Sequence, residues 1–267
     1  MEYFAGLFDA EGYVSLCKDG HFSIGTQMAN EEIPNLFKEN FGGKIYSSKR
    51  IGRKKTWSWV IATNSDCCMN FIDILSPFSL IKQPQLLVIR DYLKQSRDIR
   101  RQFRAQTSQK LSCLKQPLPT LKENIDVPSD KFPEESFWKW LAGFFDGDGN
   151  FCVYEYQGKP SIIFDSWIGI FNIMPIAIQF VKQRINGSIS TYRGAKFPIW
   201  KWVCCQKDSE FVCNSLHPYL IIKKDHARLV LDFLNIKKTK IREQSYSFDQ
   251  INCIRDIIKQ IKHLNSL

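Results

Sequence analysis

Two short phrases place paired acids beside glycine. Asp9 and Glu11 lie in AGLFDAEG, residues 5 to 12, and Asp146 and Asp148 lie in AGFFDGDG, residues 142 to 149. Each phrase reads as the end of a helix. Phe4, Leu7 and Phe8 share one apolar face, as do Leu141, Phe144 and Phe145. Ala5, Gly6 and Ala10, like Ala142, Gly143 and Gly147, leave another face nearly bare. Small residues four apart let helix backbones approach closely, so the two bare faces are expected to pack on each other. A helix C-terminus carries partial negative charge and disfavours each carboxylate there by a few tenths to about 1 kcal/mol. Four carboxylates gathered at such ends call for a cation. Gly12 and Gly149 read alternatively as ordinary left-handed caps with the acids merely solvated. That the phrase occurs twice, each time before strand-like sequence, weighs against this.

Composition narrows the partner. In 267 residues, 37 lysines and arginines face 27 acids, a net charge of +10 that favours a polyanion such as nucleic acid. Hydrophobic content of 44% is ample for a core, and no run of about 18 apolar residues appears, so the expectation is a soluble protein without a secretory leader. The nine cysteines, with neighbours at Cys67-Cys68 and Cys204-Cys205, lack the spacing of zinc ligands and are expected to be reduced and mostly buried. The histidines are too scattered for a transition-metal cluster.

The repetition extends beyond the phrases. GYVSLCKDGHFSIGTQM and NFCVYEYQGKPSIIFDSWIGIFN each read as a hairpin, then NLFKENF and IAIQFVKQRI as helices. GGKIYSSK and NGSISTYRG give third strands, and TWSWVIAT and IWKWVCCQ fourth strands, with Trp57 and Trp59 matching Trp200 and Trp202. Helical sequence closes each half, and Lys82 falls where Lys223 does. The expected fold is α+β: two αββαββα subdomains related by a pseudo-twofold, each with an antiparallel four-stranded sheet. Expected boundaries are 1–96 for the first repeat, 97–136 for a proline-punctuated linker that begins as a basic helix, and 137–267 for the second repeat with a C-terminal helix.

Each sheet should have one face under helices and one open. Val14, Leu16, Phe22, Ile24, Ile45, Trp57 and Trp59 are assigned to the covered face. The open face is assigned Ser15, Cys17, His21, Ser23, Ser47, Lys49 and Ser58, with Cys152, Tyr154, Tyr156, Thr191, Arg193 and Lys201 in the second half. Lys44, Arg50, Arg53, Lys54, Lys55 and Lys196 border these faces. Such a surface suits strands in a DNA groove with phosphates at the turns.

The two phrases resemble the LAGLIDADG motif, and from Phe4 to about Leu234 the chain is similar to a double-motif LAGLIDADG homing endonuclease. The resemblance implies that the motif helices form the interface between subdomains, making a DNA-binding saddle. It implies that the penultimate acids, Glu11 and Asp148, bind divalent metal beside the scissile phosphates, with the carbonyls of Ala10 and Gly147 as further ligands. Lys82 and Lys223 match the family's active-site lysines, and Gln27 its water-organising polar residue. Asp9 and Asp146 match the first acid and read as mainly structural. The motifs end in Glu11 and in Asp148, so the half-sites need not be equivalent, and Asn172 is the candidate counterpart of Gln27.

The chemistry agrees. Phosphodiester hydrolysis needs a nucleophilic water, neutralisation of developing charge and help for the leaving oxygen, which Mg2+ shared between the motif acids can supply. Lys82 and Lys223 would stabilise developing charge or polarise the water. The expected activity is double-strand cleavage of a long asymmetric site by a monomer bound to double-stranded DNA. The alternatives are an RNA-binding intron maturase, with the host intron RNA as a further partner, and a non-catalytic DNA-binding regulator. Retention of the acids and lysines favours the nuclease. The resemblance also implies an intron-encoded, intracellular protein of a mitochondrion or chloroplast.

Overall fold

The computed structural model describes residues 1–16, 21–49, 52, 54–62, 66–116, 132–159, 162–194, 197–239 and 245–266. The chain divides into two compact units, Met1–Lys122 and Glu123–Leu267. In the first, α1 (Glu2–Glu11), β1 (Gly12–Leu16), β2 (Phe22–Met28), α2 (Glu32–Phe41), β3 (Lys44–Ser48) and β4 (Thr56–Ala62) precede α3 (Asp66–Leu75), α4 (Gln83–Leu93) and α5 (Arg97–Leu114). The second runs α6 (Glu134–Asp148), β5 (Gly149–Gln157), β6 (Ile162–Asn172), α7 (Pro175–Arg184), β7 (Ser188–Arg193), β8 (Pro198–Cys205), α8 (Gln206–Leu216), α9 (Lys224–Thr239) and α10 (Phe248–Ser266). The order is the same element for element, and the α+β expectation holds.

Each unit has one antiparallel four-stranded sheet, ordered β1-β2-β4-β3 and β5-β6-β8-β7. The registers superimpose. Trp59 pairs with Thr26 and Ile45, and Trp202 with Ile170 and Ile189. Cross-strand partners project to one side of a sheet, so Val14, Ile24, Trp59 and Ile61, all within 1% of complete burial, mark the covered face of the first sheet. Phe151, Ile168, Ile170 and Trp202 mark that of the second. Rings then fill the space beneath the helices: Phe37 and Phe71 lie 4.9 and 5.2 Å from Trp59, and Phe8 lies 5.2 Å from Phe71. Truncating such a buried ring to alanine costs about 3–5 kcal/mol.

Strict alternation corrects part of the face assignment. Ser47 is the cross-strand partner of Trp57, and Thr191 that of Trp200. Both therefore share the tryptophan side of their sheets, as does Arg193 by its alternation with Thr191. Lys49 lies one residue beyond β3, so no sheet parity assigns it to the open face. All four are exposed, and exposure near a sheet edge is not the same as lying on the open face. On β3 and β7 the open face belongs to Tyr46 and Ser48, and to Ser190 and Tyr192.

Residues 97–136, expected as the connector, are helical over Arg97–Leu114. This helix, α5, packs on α4 and β1, as α10 packs on α9 and β5. Each thereby covers the edge strand of its sheet, a position otherwise open to further strand pairing. The isoleucine stripe of α10 buries Ile254, Ile257, Ile258 and Ile261, whereas α5 buries only Leu111. No described helix is long and apolar enough to cross a membrane.

Candidate functional site

In each unit the motif helix runs directly into the first strand, α1 into β1 and α6 into β5. The junction glycines permit this by close approach. Gly12 has φ −75° and ψ 149°, and Gly149 φ −78° and ψ 154°, both extended, so neither is a left-handed cap. Their N–H groups donate to the carbonyls of Phe8 and Phe145. A Cβ at Gly12 would lie 2.3 Å from the Phe8 carbonyl oxygen, and one at Gly149 2.3 Å from Cδ1 of Phe145. Any side chain there would force strand and helix apart.

The first acid of each phrase is buried and fixes a turn distant in sequence. Asp9, 1% exposed, accepts from the Ser79 hydroxyl and from the N–H groups of Leu80 at 2.7 Å, Ile81 at 3.0 Å and Lys82 at 2.9 Å. Asp146, 2% exposed, accepts from the N–H groups of Ile221 at 2.8 Å, Ile222 at 3.2 Å and Lys223 at 2.8 Å. These turns lead into α4 and α9. Their N–H groups would otherwise be orphans, and the positive end of each following helix favours the carboxylate. The structural reading of Asp9 and Asp146 therefore has a geometric basis: each carboxylate places a lysine, Lys82 or Lys223, beside its motif helix.

Lys223 completes the second arrangement. Its ammonium donates to the carbonyls of Phe145, Gly147 and Gly149, each at 2.8 Å. The last turn of α6 contains no basic residue of its own, and Lys223 brings a positive charge to that negative helix end. The Gly147 carbonyl, expected as a metal ligand, is thus already a lysine acceptor, with a second lone pair remaining.

The second acids, Glu11 and Asp148, are the final residues of α1 and α6, and both are half-buried. Asp148 accepts a 2.6 Å hydrogen bond from the Asn172 amide, whose own oxygen accepts from the N–H of Met174 at 2.7 Å. Register corrects the pairing of Asn172 with Gln27. Asn172 lies opposite Trp200 and so corresponds to Met28, whereas Gln27 corresponds to Phe171. Gln27 is exposed on the open face and donates to the Thr56 hydroxyl at 3.3 Å.

The other expected contact residues are distributed as follows. Ser15, Ser23 and Ser58 lie on the open face of the first sheet, where the Ser23 hydroxyl donates to that of Tyr13 at 3.4 Å. His21 precedes β2 and is exposed, as are Lys54 and Lys55 before β4; the Lys55 ammonium sits 3.7 Å from the Trp57 ring centroid. Tyr154, Tyr156 and Lys201 lie on the open face of the second sheet. Cys17, Arg50, Arg53 and Lys196 fall outside the described residues. Sequence reasoning missed the Asn172–Asp148 bond and the open-face rings Trp167, Phe171 and Tyr192, although in β6 Trp167 and Phe171 alternate with the covered-face Ile168 and Ile170.

Among the described residues no group of three or more His, Cys, Asp or Glu forms a metal cluster. The described cysteines are free thiols, and burial pushes Cys68 up to about 11 and Cys204 up to about 12, which opposes thiolate ligation. The available donors are carboxylate and carbonyl oxygens, which suit a hard cation. The Lys223 ammonium, seated on three helix-end carbonyls, marks a place that attracts positive charge.

Neither protein-family models nor curated proteins give a match to this chain. Solved structures do. The chain is similar to I-SmaMI bound to uncleaved DNA target in the presence of calcium ions, with a TM-score of 0.70 and 16% identity over 98% of each chain. It is similar to the I-SmaMI LAGLIDADG homing endonuclease bound to cleaved DNA, with a TM-score of 0.69 and 17% identity over 96% of this chain and 95% of that one. The I-LtrWI LAGLIDADG homing endonuclease bound to target DNA gives 0.67 and 15% over 97% and 96%. The chain has the two-repeat fold of the LAGLIDADG homing endonucleases.

Proposed function

We propose that the chain is a site-specific DNA endonuclease that hydrolyses phosphodiester bonds in both strands of a long asymmetric duplex site. It acts as a monomer with divalent metal, and Mg2+ fits the oxygen donors. The observation that carries this reading is the helix end built twice: a half-buried acid, Glu11 or Asp148, ends a helix whose buried acid anchors a turn that bears Lys82 or Lys223.

The residues divide the work. Glu11 with the carbonyl of Ala10, and Asp148 with the carbonyl of Gly147, would hold divalent metal, and Asn172 orients the Asp148 carboxylate. When bound, the ion supplies Lewis acidity and positive charge at the scissile phosphate. Asp9 and Asp146 hold the lysine-bearing turns in place. Lys82 and Lys223 offset charge that develops on the phosphate oxygens. Gln27 orients water from the open face of its sheet. The basic turn residues Lys54 and Lys55 meet phosphates, and the net charge of +10 draws the polyanion in.

The test is incubation with a library of randomised duplex DNA in Mg2+, followed by sequencing of the cut ends. One long asymmetric site is expected, with cleavage lost on chelation. Sequence-selective binding without cleavage would replace the nuclease with a DNA-binding regulator. Cleavage only at palindromes by two chains would overturn the monomer.

A further inference from the structure

The open faces of the two sheets hold equivalent positions and carry different chemistry. Matching registers set Ser23 against Trp167, Gln27 against Phe171, Ser48 against Tyr192 and Ser58 against Lys201. At these four positions three hydroxyls and an amide in the first unit become three rings and an ammonium in the second, whereas Tyr46 of the first face, 56% exposed, stands where the second has Ser190. The rings touch: Trp167 and Phe171 have centroids 5.9 Å apart, and Phe171 and Tyr192 6.3 Å apart, both edge to face. The Lys201 ammonium lies 4.5 Å from the Trp167 centroid and 5.2 Å from that of Phe171. Further along the face Tyr154 and Tyr156 stack at 5.7 Å and are 37% and 44% exposed, and Tyr192 is 48% exposed.

Trp167 and Phe171 are half-buried and Tyr192 is exposed, and rings gathered in this way on an open sheet face mark a binding site. Lys201 sits among these rings in a chain of net charge +10, which matches a polyanion. In the major groove of B-DNA the apolar group that a base edge presents is the C5 methyl of thymine; the other features are hydrogen-bond donors and acceptors. Rings projecting from strands reach that methyl, whereas serine hydroxyls answer the donors and acceptors. Resting on the endonuclease reading, we propose that the Glu123–Leu267 unit reads its half of the target through thymine methyl groups, by way of Trp167, Phe171 and Tyr192. The Met1–Lys122 unit reads its half by hydrogen bonds.

Uracil for thymine substitution removes the methyl and leaves base pairing and every donor and acceptor in place. The experiment measures affinity of the full chain for its selected target with uracil in one half, in the other half, or in neither. Uracil in one half is expected to weaken binding about tenfold or more, and in the other half by less than about twofold. Phe171→Ala and Tyr192→Ala should bind the thymine and uracil targets equally. Ser58→Ala should keep the uracil penalty. A penalty below about twofold in both halves, or one that survives in both ring variants, overturns the inference, and the wild-type arms decide it alone if those variants misfold. Absence of any sequence-selective duplex binding by the wild-type chain would instead overturn the endonuclease reading itself.

Discussion

The two units agree closely at one end of the sheet and differ across its open face. At the motif-helix ends Asp9 and Asp146 are both buried, both accept consecutive main-chain N–H groups, and both position a lysine. On the open faces hydroxyls stand opposite rings at equivalent register positions. The difference follows from what each residue does for folding. A buried carboxylate that loses its donors, or donors that lose their carboxylate, cost the fold directly, so a helix end has few alternatives. An open face solves no folding problem and is free to carry whatever chemistry its ligand requires. The second acids lie between these cases. Glu11 and Asp148 differ by one methylene, and Asn172, whose side-chain amide fixes Asp148, stands where the first unit has Met28, whose side chain carries no donor.

The largest effect should come from removing a second acid. Glu11→Gln or Asp148→Asn is expected to reduce double-strand cleavage by about a hundredfold to a thousandfold or more, with DNA affinity largely kept. Neither change alters the buried anchors. Strand-resolved cleavage assays separate the half-sites, and either variant cutting both strands at the wild-type rate would remove the metal role assigned to these acids.

The first acids should show the opposite pattern. Asp9→Ala or Asp146→Ala leaves several buried N–H groups without an acceptor and is expected to destabilise the protein by about 3 kcal/mol. Denaturant midpoints with unchanged slope would report it. If both variants unfold like wild type while cleavage alone is lost, the structural division between first and second acid fails. A smaller effect separates the units: Asn172→Ala should slow cleavage of one strand about tenfold and leave the other unchanged, because it removes a hydrogen bond from the Asp148 carboxylate alone. Equal slowing of both strands would mean that Asn172 acts through the fold.

How much of this was legible in the sequence follows the same division. The repeated phrase, the element order and the matched tryptophans depend on local pattern and periodicity, and they read correctly. The face of β3 and β7 is misread from sequence because Ser47 and Thr191 are polar, although cross-strand pairing puts them beside Trp57 and Trp200. The glycines of both phrases look like left-handed caps in sequence, and the closeness of Phe8 and Phe145 that actually requires them is a tertiary fact. The partners of Asp9 and Asp146 are mostly main-chain N–H groups, which no side-chain pattern announces. Lys223 neutralises a helix end from a distant turn, so the helix read alone shows acids and no base. α5 was read as connector because a proline-rich stretch follows it and it buries only Leu111.

The smallest expected effect concerns one buried polar position that the units fill differently. Three residues after each anchored lysine, the first unit has Gln85, 2% exposed, and the second His226, 6% exposed. Burial, and then the charge of Lys223, push the His226 pKa below its ordinary value of 6.5; its hydrogen bond to Asn265 and the carboxylates of Asp146 and Asp225 oppose the shift without reversing it. An unfolded chain therefore binds a proton at this histidine at a pH where the folded chain does not. Stability from His226 is present above pH 6.5 and falls as acid carries the solution down toward the folded pKa. Gln85 has no such dependence. His226→Gln, which copies the first unit, should flatten the dependence of the denaturation midpoint on pH below neutrality while changing little at pH above the ordinary histidine value. If the midpoints of wild type and His226→Gln fall in parallel on acidification, then the acid sensitivity of the second unit does not arise at His226, and the difference between the two buried positions has no consequence for stability.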